Sequence, residues 1–368
     1  MGRQRLQERN KMALFEDILH SDQTLFKNDS ALDTEFVPKI LPFREKQQRY
    51  VASCIAPLLK DRNGKNLLIF GPPGIGKTAT VKCMFKELED ETDDVIPIYI
   101  NCWQKNTTFK ICVALCEELG YNLTHNKKTE ELFAIIKNML NKKSVVFCFD
   151  EIDKIEDFDF LYSLIQEIYK KTILLITNYK EWMLKLDERI RSRLGADNVE
   201  FMPYNEKETK EILKQRAKYA FYPSVLEDDA LDVIAKKTFA TKDVRTGLHL
   251  LRNAGLAAEN ESSKKIKVEH ANKALQKIDD FSIKKSTDLE SQTKFLLDVI
   301  KENPGKKSGD LFDIYSQKGG TDSYRSFRRK LKNLEIAKFI TIKKIEGGKE
   351  GKTSIIEYNK ASKTLNDF

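Results

Sequence analysis

Hydrophobic and polar positions change their rhythm twice along this chain. Between about residues 60 and 204, short and nearly unbroken apolar runs alternate with helical patterns. The runs are "NLLIF" (66–70), "VIPIYIN" (95–101), "SVVFCFD" (144–150), "TILLITN" (172–178) and "VEFMPY" (199–204). Such strands, separated by helices, predict an α/β fold around a parallel sheet covered on both faces. From Asn205 to about Asp280 the periodicity is helical throughout, as in "EKETKEILKQRAKYAF" and "DVRTGLHLLRNAGLAAEN". After "DDFSIKKST" the pattern changes again. One predicted helix, "LESQTKFLLDVIKEN", stops before Pro304–Gly305, and the next, "SGDLFDIYSQK", stops at Gly319–Gly320.

The stretch "SYRSFRRKLKNLEIAK" then repeats apolar residues at Phe327, Leu331 and Leu334, the spacing of one buried helix face. Two strand-like runs, "KFITIKKI" and "TSIIEYN", follow around the Gly-containing turn "EGGKEGK". Three helices and a two-stranded wing predict a winged helix-turn-helix. The domain plan expected is residues 1–23 ahead of an α/β core (24–204), then an all-helical block (205–280) and a winged-helix domain (281–368).

Charge sharpens that last assignment. The 368 residues carry a formal net charge of +8, but residues 281–368 hold 19 Lys and Arg against 12 Asp and Glu. The other 280 residues hold 45 against 44. Concentrating the excess in one patterned quarter is the footprint of a polyanion binder. The predicted second helix of the helix-turn-helix is the element that enters the major groove of DNA. Its open faces carry Tyr324, Arg325, Arg328, Arg329 and Lys332, with Gly348, Lys349 and Lys352 at the wing tip.

Composition excludes several classes. With 40% hydrophobic and 33% charged residues the chain reads as soluble and globular. No stretch approaches the ~18 apolar residues of a membrane span, so no membrane partner is expected. The start, "MGRQRLQERNKMALFEDILH", is charged through its apolar part, which argues against a secretory signal. The six cysteines form no CxxC pair and the four histidines lie far apart, which argues against zinc. A reduced, cytoplasmic protein is expected, metal-free apart from an ion accompanying a nucleotide.

That nucleotide is expected from "GPPGIGKT" (71–78), which follows the first strand and opens a helix. Glycines there let backbone N–H groups turn inward around phosphate oxygens, and the helix adds its positive N-terminus. Pro73, Gly74, Ile75, Gly76 and Ala79 belong to this cradle. Lys77 would reach the outer phosphates, and the Thr78 hydroxyl would ligate magnesium. The third strand ends in Asp150–Glu151, where side chains point into the ligand crevice of a parallel sheet. Asp150 would hold Mg2+ through water, Glu151 would orient and deprotonate the attacking water, and Asn178 would hold that water from the other side.

Cradle, acidic pair and strand-ending Asn, followed by a helical lid, resemble the AAA+ ATPase fold, whose strand order is 5-1-4-3-2. Three further stretches resemble the archaeal origin-recognition and cell-division-control initiators: "EFVPKILPFREKQ" (35–47), "INCWQKNTTFKICVALCEELGY" (100–121) and "PYNEKETKEILKQRA" (203–217). The resemblance implies that Val37 and Pro38 wall the base of ATP or ADP, with Arg44 over it and Tyr204 and Arg216 on the lid side. It makes Arg245 the lid arginine that neutralises the outer phosphate. It makes Arg193, with Arg189 as second choice, the finger reaching a neighbouring subunit's nucleotide.

The helical insertion near 102–120 becomes a second DNA contact through Lys105, Thr107, Thr108 and Lys110. The implied function is a replication initiator that binds double-stranded origin DNA and helps recruit the minichromosome maintenance helicase. Slow ATP hydrolysis would act as a switch, and paralogous initiator subunits are a further partner class. The implied location is the nucleoid of an archaeal-type cell. A clamp-loader-like ATPase, or a signalling P-loop ATPase braked by its winged helix, are the alternatives. Either would be expected to carry domains that this sequence does not show.

Overall fold

The computed structural model describes residues 24–287, 291–320, 322–336, 339–345 and 353–359. Contacts divide the chain into two units, Met1–Ala274 and Leu275–Phe368. In the first, α1 (Glu45–Ile55) leads to β1 (Leu67–Phe70), and α2 (Lys77–Glu91) leads to β2 (Val95–Asn101). Helices α3 (Thr108–Glu118) and α4 (Thr129–Leu140) precede β3 (Ser144–Asp150). Helix α5 (Asp159–Glu167) precedes β4 (Lys171–Thr177), and α6 (Glu188–Leu194) precedes β5 (Asp197–Glu200). The strands pair in parallel in the order β2-β3-β4-β1-β5, which is the expected 5-1-4-3-2 read from the opposite edge.

Strand alternation explains why two cores form. Leu67, Ile69, Val146, Cys148 and Ile176 point to one face and pack with α1 and α2 residues such as Val51 and Val81. Leu68, Phe147, Phe149, Ile173 and Leu175 point to the other and pack with Ile111, Leu115, Leu132 and Ile136 from α3 and α4. All seven residues of β3 are buried, as a central parallel strand requires. Truncating one of these leucines to Ala would cost about 2–5 kcal/mol.

The fifth strand lies earlier than its apolar run. Its ladder pairs Leu67 with Asp197 and Phe70 with Glu200, so β1 sets its position. As an edge strand it tolerates exposed Asn198 and Glu200. Phe201 follows, fully buried, with its N–H donated to Phe70 O at 2.8 Å.

Among the described residues the lid contains α7 (Glu206–Ala220), α8 (Asp228–Thr241), α9 (Val244–Asn260) and the first part of α10 (Val268–Thr287), whose residues from Leu275 on fall in the second unit. Helix α7 starts with a capping box, in which Asn205 Oδ1 accepts Glu208 N–H and Glu208 Oε2 accepts Asn205 N–H, each at 2.9 Å. Residues 24–33, placed with the core by sequence, are bonded to this lid. Lys27 N–H donates to Ala220 O at 2.7 Å, and Arg252 pairs with Asp29 and Asp33 at 2.9 and 2.8 Å.

The second unit contains α11 (Ser291–Glu302), β6 (Lys306–Lys307), α12 (Ser308–Gln317), α13 (Tyr324–Ile336), β7 (Ile340–Ile345) and β8 (Thr353–Tyr358). Phe327, Leu331 and Leu334 are buried with Leu296, Leu311, Tyr315 and Ile356, which is the predicted inner face of α13. The sheet has three antiparallel strands, β6-β8-β7, rather than two. Two lysines are too few to show a period, and β6 is a strand only because β8 pairs with it. Three helices on this small sheet form a winged helix.

Candidate functional site

The turn between β1 and α2 is built as a cradle. Gly74 and Gly76 have φ of 74° and 89°, left-handed values that glycine adopts without a Cβ clash. A Cβ on Gly74 would also lie 2.0 Å from Asp243 Oδ1. The Lys77 ammonium is buried and donates to Gly71 O (2.7 Å), Pro72 O (2.8 Å) and Asn178 Oδ1 (3.0 Å). Burial lowers it to about 8, opposed by the charge of Asp150. Asn178, the first residue after β4, is thereby joined to the cradle.

Asp150, only 3% exposed, is the hub of the acidic end. Its Oδ2 accepts the Thr78 hydroxyl at 2.5 Å and the Tyr99 phenol at 2.8 Å, and its Oδ1 accepts Glu151 N–H at 2.8 Å. Burial and the Asp150 charge raise the Tyr99 phenol, so it remains a proton donor. Glu151 has φ 52°, uncommon for a non-glycine residue, which turns it off the strand towards the cavity. Burial, then the neighbouring charges of Asp150 and Asp153, raise its carboxyl above the usual range. A cavity of about 180 Å³ brings Gly74, Lys77, Thr78, Asp150, Glu151 and Asn178 together with Arg216 and Arg245.

A second, mainly apolar cavity adjoins it, with Pro38, Leu41, Ala79, Tyr204, Ile212 and Tyr219 among its walls. Val37 lies instead on a neighbouring polar cavity with Glu35, Tyr99 and Asp150. Arg44 lines none of these three cavities. It is 4% exposed, donates to Ile75 O (3.0 Å) and Met202 O (2.7 Å), and lies over the Tyr204 ring at 3.9 Å. It fastens the back of the cradle, with Ile75 buried beneath it.

Arg216 lines both main cavities. Burial lowers it to about 10, and its Nη1 is buried with no hydrogen-bond partner. A buried, unanswered guanidinium N–H costs free energy, and at this place it suits an anionic phosphate. Arg245 also faces the phosphate-sized cavity, its guanidinium paired with Asp243 at 2.7 Å.

On α6, Arg193 donates to Tyr162 OH and Gln166 Oε1, each at 3.2 Å, and lies 5.2 Å from the Tyr162 ring centre. The Arg189 side chain is exposed, with no hydrogen bond or ion pair among the described residues.

In the insertion, Thr107 caps α3 by accepting Lys110 N–H at 3.4 Å. Lys110 reaches Asn106 Oδ1 at 2.8 Å, and Lys105 is 3.9 Å from Glu117. Thr108 is half-buried and its hydroxyl is bonded to Asp157. Trp103, missed by the sequence reading, is 64% exposed, with Lys154 Nζ 5.1 Å from its ring centre.

On α13, Arg325, Arg328, Arg329 and Lys332 are all exposed and line one groove with Ser326, Ser354 and Ile356. Tyr324 packs edge-on against Phe312 at 5.0 Å. The base of the helix is pinned by Asp322, which accepts from Lys330 (2.8 Å), Tyr315 (2.5 Å) and Ser326 (3.2 Å). Gly348, Lys349 and Lys352 lie outside the described residues.

A triphosphate fits the first cavity, since the cradle and the Lys77 ammonium line it together with Arg216 and Arg245. The Thr78 hydroxyl and Asp150 carboxylate supply the hard oxygen donors that suit magnesium. Among the described residues, no group of three or more His, Cys, Asp or Glu could hold a metal by itself. No described helix is long and apolar enough to cross a membrane.

Comparison with known proteins adds the family. The AAA domain family matches residues 60–180, and the Cdc6 AAA+ ATPase-type lid domain matches residues 210–276. The chain is 33% identical to ORC1-type DNA replication protein 1 of Sulfurisphaera tokodaii, covering 90% of each chain. It is 31% identical to ORC1-type DNA replication protein 1 of Archaeoglobus fulgidus, covering 96% of this chain and 92% of that one. The Aeropyrum pernix ORC1 protein, solved in complex with DNA, superposes with a TM-score of 0.71 at 26% identity, covering 92% of this chain and 94% of that one. Cdc6p of Pyrobaculum aerophilum shares the fold with a TM-score of 0.64, at 18% identity and 91% and 95% coverage. From sheet order and lid to the end-to-end sequence match, this chain belongs to the family of ORC1-type DNA replication proteins.

Proposed function

We propose that this protein is a DNA replication initiator. It binds duplex DNA at origins through its winged helix and its α3 insertion, under control of bound ATP or ADP. It helps recruit the minichromosome maintenance helicase and works in the nucleoid, alone or with paralogous initiator subunits. One observation carries the reading. A single chain holds both the Thr78–Asp150 oxygen pair beside Lys77 and four exposed cations along one groove of a winged helix.

Lys77 and Arg245 hold phosphate oxygens, and Arg216 reaches them from the lid through its unpartnered N–H. A nucleotide-bound magnesium ion, held by Thr78 and Asp150, supplies charge neutralisation at the outer phosphates. Glu151 accepts the proton of the attacking water, and Asn178 orients that water from the β4 side. An exposed carboxylate would be a weak base, and the burial that raises Glu151 brings it nearer to neutrality. Pro38 and Tyr204 flank the apolar cavity offered to the base, Val37 continues the wall of the strap, and Arg44 holds the cradle from behind. An α6 arginine acts on a neighbouring subunit's nucleotide.

On DNA, Arg325, Arg328, Arg329 and Lys332 meet phosphates and base edges, beside Tyr324. Lys105, Thr107 and Lys110 make the second contact, with Thr108 holding the start of α3. The test is duplex-DNA anisotropy across a salt titration, with ATP present. Replacing Arg328 and Arg329 with Ala should weaken binding and flatten the salt slope by about one unit per lost phosphate contact. An unchanged slope would remove this face from the interface.

A further inference from the structure

We propose that Tyr99 is a positioning residue for the metal-side carboxylate, fixing Asp150 for the ion that accompanies the nucleotide. Three donors converge on Asp150: the Thr78 hydroxyl, the Tyr99 hydroxyl and the backbone N–H of Glu151. Thr78 is itself assigned to the ion, and the Glu151 N–H reaches only Oδ1. Tyr99 is therefore the one side-chain donor, among those described, with no second duty towards the metal. A nearly buried carboxylate with two oxygens and few donors turns easily unless a fixed partner holds it.

Tyr99 is well fixed. Strands β2 and β3 are parallel, with Tyr99 opposite Cys148 and Asn101 opposite Asp150. Alternation puts residues 99 and 101 on the same side of the sheet as 148 and 150. From that side the Tyr99 ring reaches across to the acid. Its outer side carries Lys82 Nζ, 4.8 Å from the ring centre, and that ammonium is paired with Glu35 at 2.7 Å. Glu35 stands on the strap that continues into Val37 and Pro38. A line of contacts thus runs from the strap beside the nucleotide through Lys82 and Tyr99 to Asp150.

The inference rests on the nucleotide reading given above. The test is the affinity of the full chain for a fluorescent ADP analogue, titrated with Mg2+ and repeated in EDTA, for native protein and Tyr99→Phe. Phenylalanine keeps the ring under Lys82 and removes only the hydroxyl. The expected result is a Mg2+ midpoint at least tenfold higher with affinity in EDTA unchanged, and a lower melting temperature, because the buried Asp150 loses a donor. A midpoint within twofold of native overturns the role. Equal weakening with and without Mg2+ also overturns it, because Tyr99 would then be merely a wall of the cavity. If the native protein binds no nucleotide at all, it is the nucleotide reading itself that fails.

Discussion

The hydroxyl of Thr108 donates to the Asp157 carboxylate and accepts Phe160 N–H at 3.1 Å, so the start of α3 is fastened to the segment that follows Glu151. Asn106 repeats the link, its carbonyl accepting Glu156 N–H at 2.9 Å. Thr108→Ala should leave the half-buried Asp157 short of a donor and cost about 1–3 kcal/mol. A lower melting temperature should show it. Lys105→Ala and Lys110→Ala should keep the melting temperature and reduce DNA affinity in low salt. A Thr108→Ala protein as stable as native would contradict the fastening.

Lys77→Ala removes the ammonium that faces the phosphate cavity and should abolish ATP and ADP binding by calorimetry. Glu151→Gln should keep binding and lower single-turnover hydrolysis at least a hundredfold, within the range of a lost general base. Retained affinity in the first variant, or undiminished turnover in the second, would reassign the residue concerned.

The two α6 arginines differ in what already holds them. Arg193 is tied within its own chain to Tyr162 and Gln166, whereas the Arg189 side chain extends free of hydrogen bonds among the described residues. Arg189→Ala should therefore lower hydrolysis in DNA-bound assemblies at least tenfold, a modest fraction of what a trans arginine can contribute. Arg193→Ala should act mainly on thermal stability. The reverse ranking in a steady-state ATPase assay would make Arg193 the finger.

Acid should loosen the winged helix. Burial alone would raise the Asp322 carboxyl, but hydrogen bonds from Lys330, Tyr315 and Ser326 overcome this and hold it below the usual value. A carboxylate depressed in the folded state stabilises above its unfolded pKa, about 3.9, and that contribution is lost as pH falls through the lower folded value. Protection factors for hydrogen exchange in residues 308–336, corrected for the intrinsic rate, should fall below pH 4 and much less in Asp322→Asn. Identical pH profiles for the two proteins would remove Asp322 as the cause.

The sequence made the sheet and the cradle legible because both depend on local pattern. Apolar runs separated by helices force a covered parallel sheet, and the glycines at 74 and 76 mark left-handed turns. The inner face of α13 was legible for the same reason, from Phe327, Leu331 and Leu334. What escaped depends on residues distant in the chain. Tyr99 reads as one more strand residue until β2 lies beside β3, and Asp322 reads as a turn residue until Lys330 and Tyr315 close on it. Arg44 was expected over the base, yet Ile75 O and Met202 O draw it behind the cradle, a pull from two carbonyls far apart in sequence. The start of β5 escaped because β1, not apolarity, decides where an edge strand pairs.

Val244 N–H donates to Gly74 O at 3.0 Å, and the space beside Gly74 is filled by Asp243. Here the phosphate turn and the lid share a joint at one edge of the cavity that both of them line. Whatever tightens that turn is transmitted directly to the first turn of α9, and any swing of the lid must pivot about this bond or break it. Even an alanine at residue 74 would strain a φ of 74° and press on the Asp243 carboxylate, so the smallest side chain that could be added there would be felt on both sides of the joint.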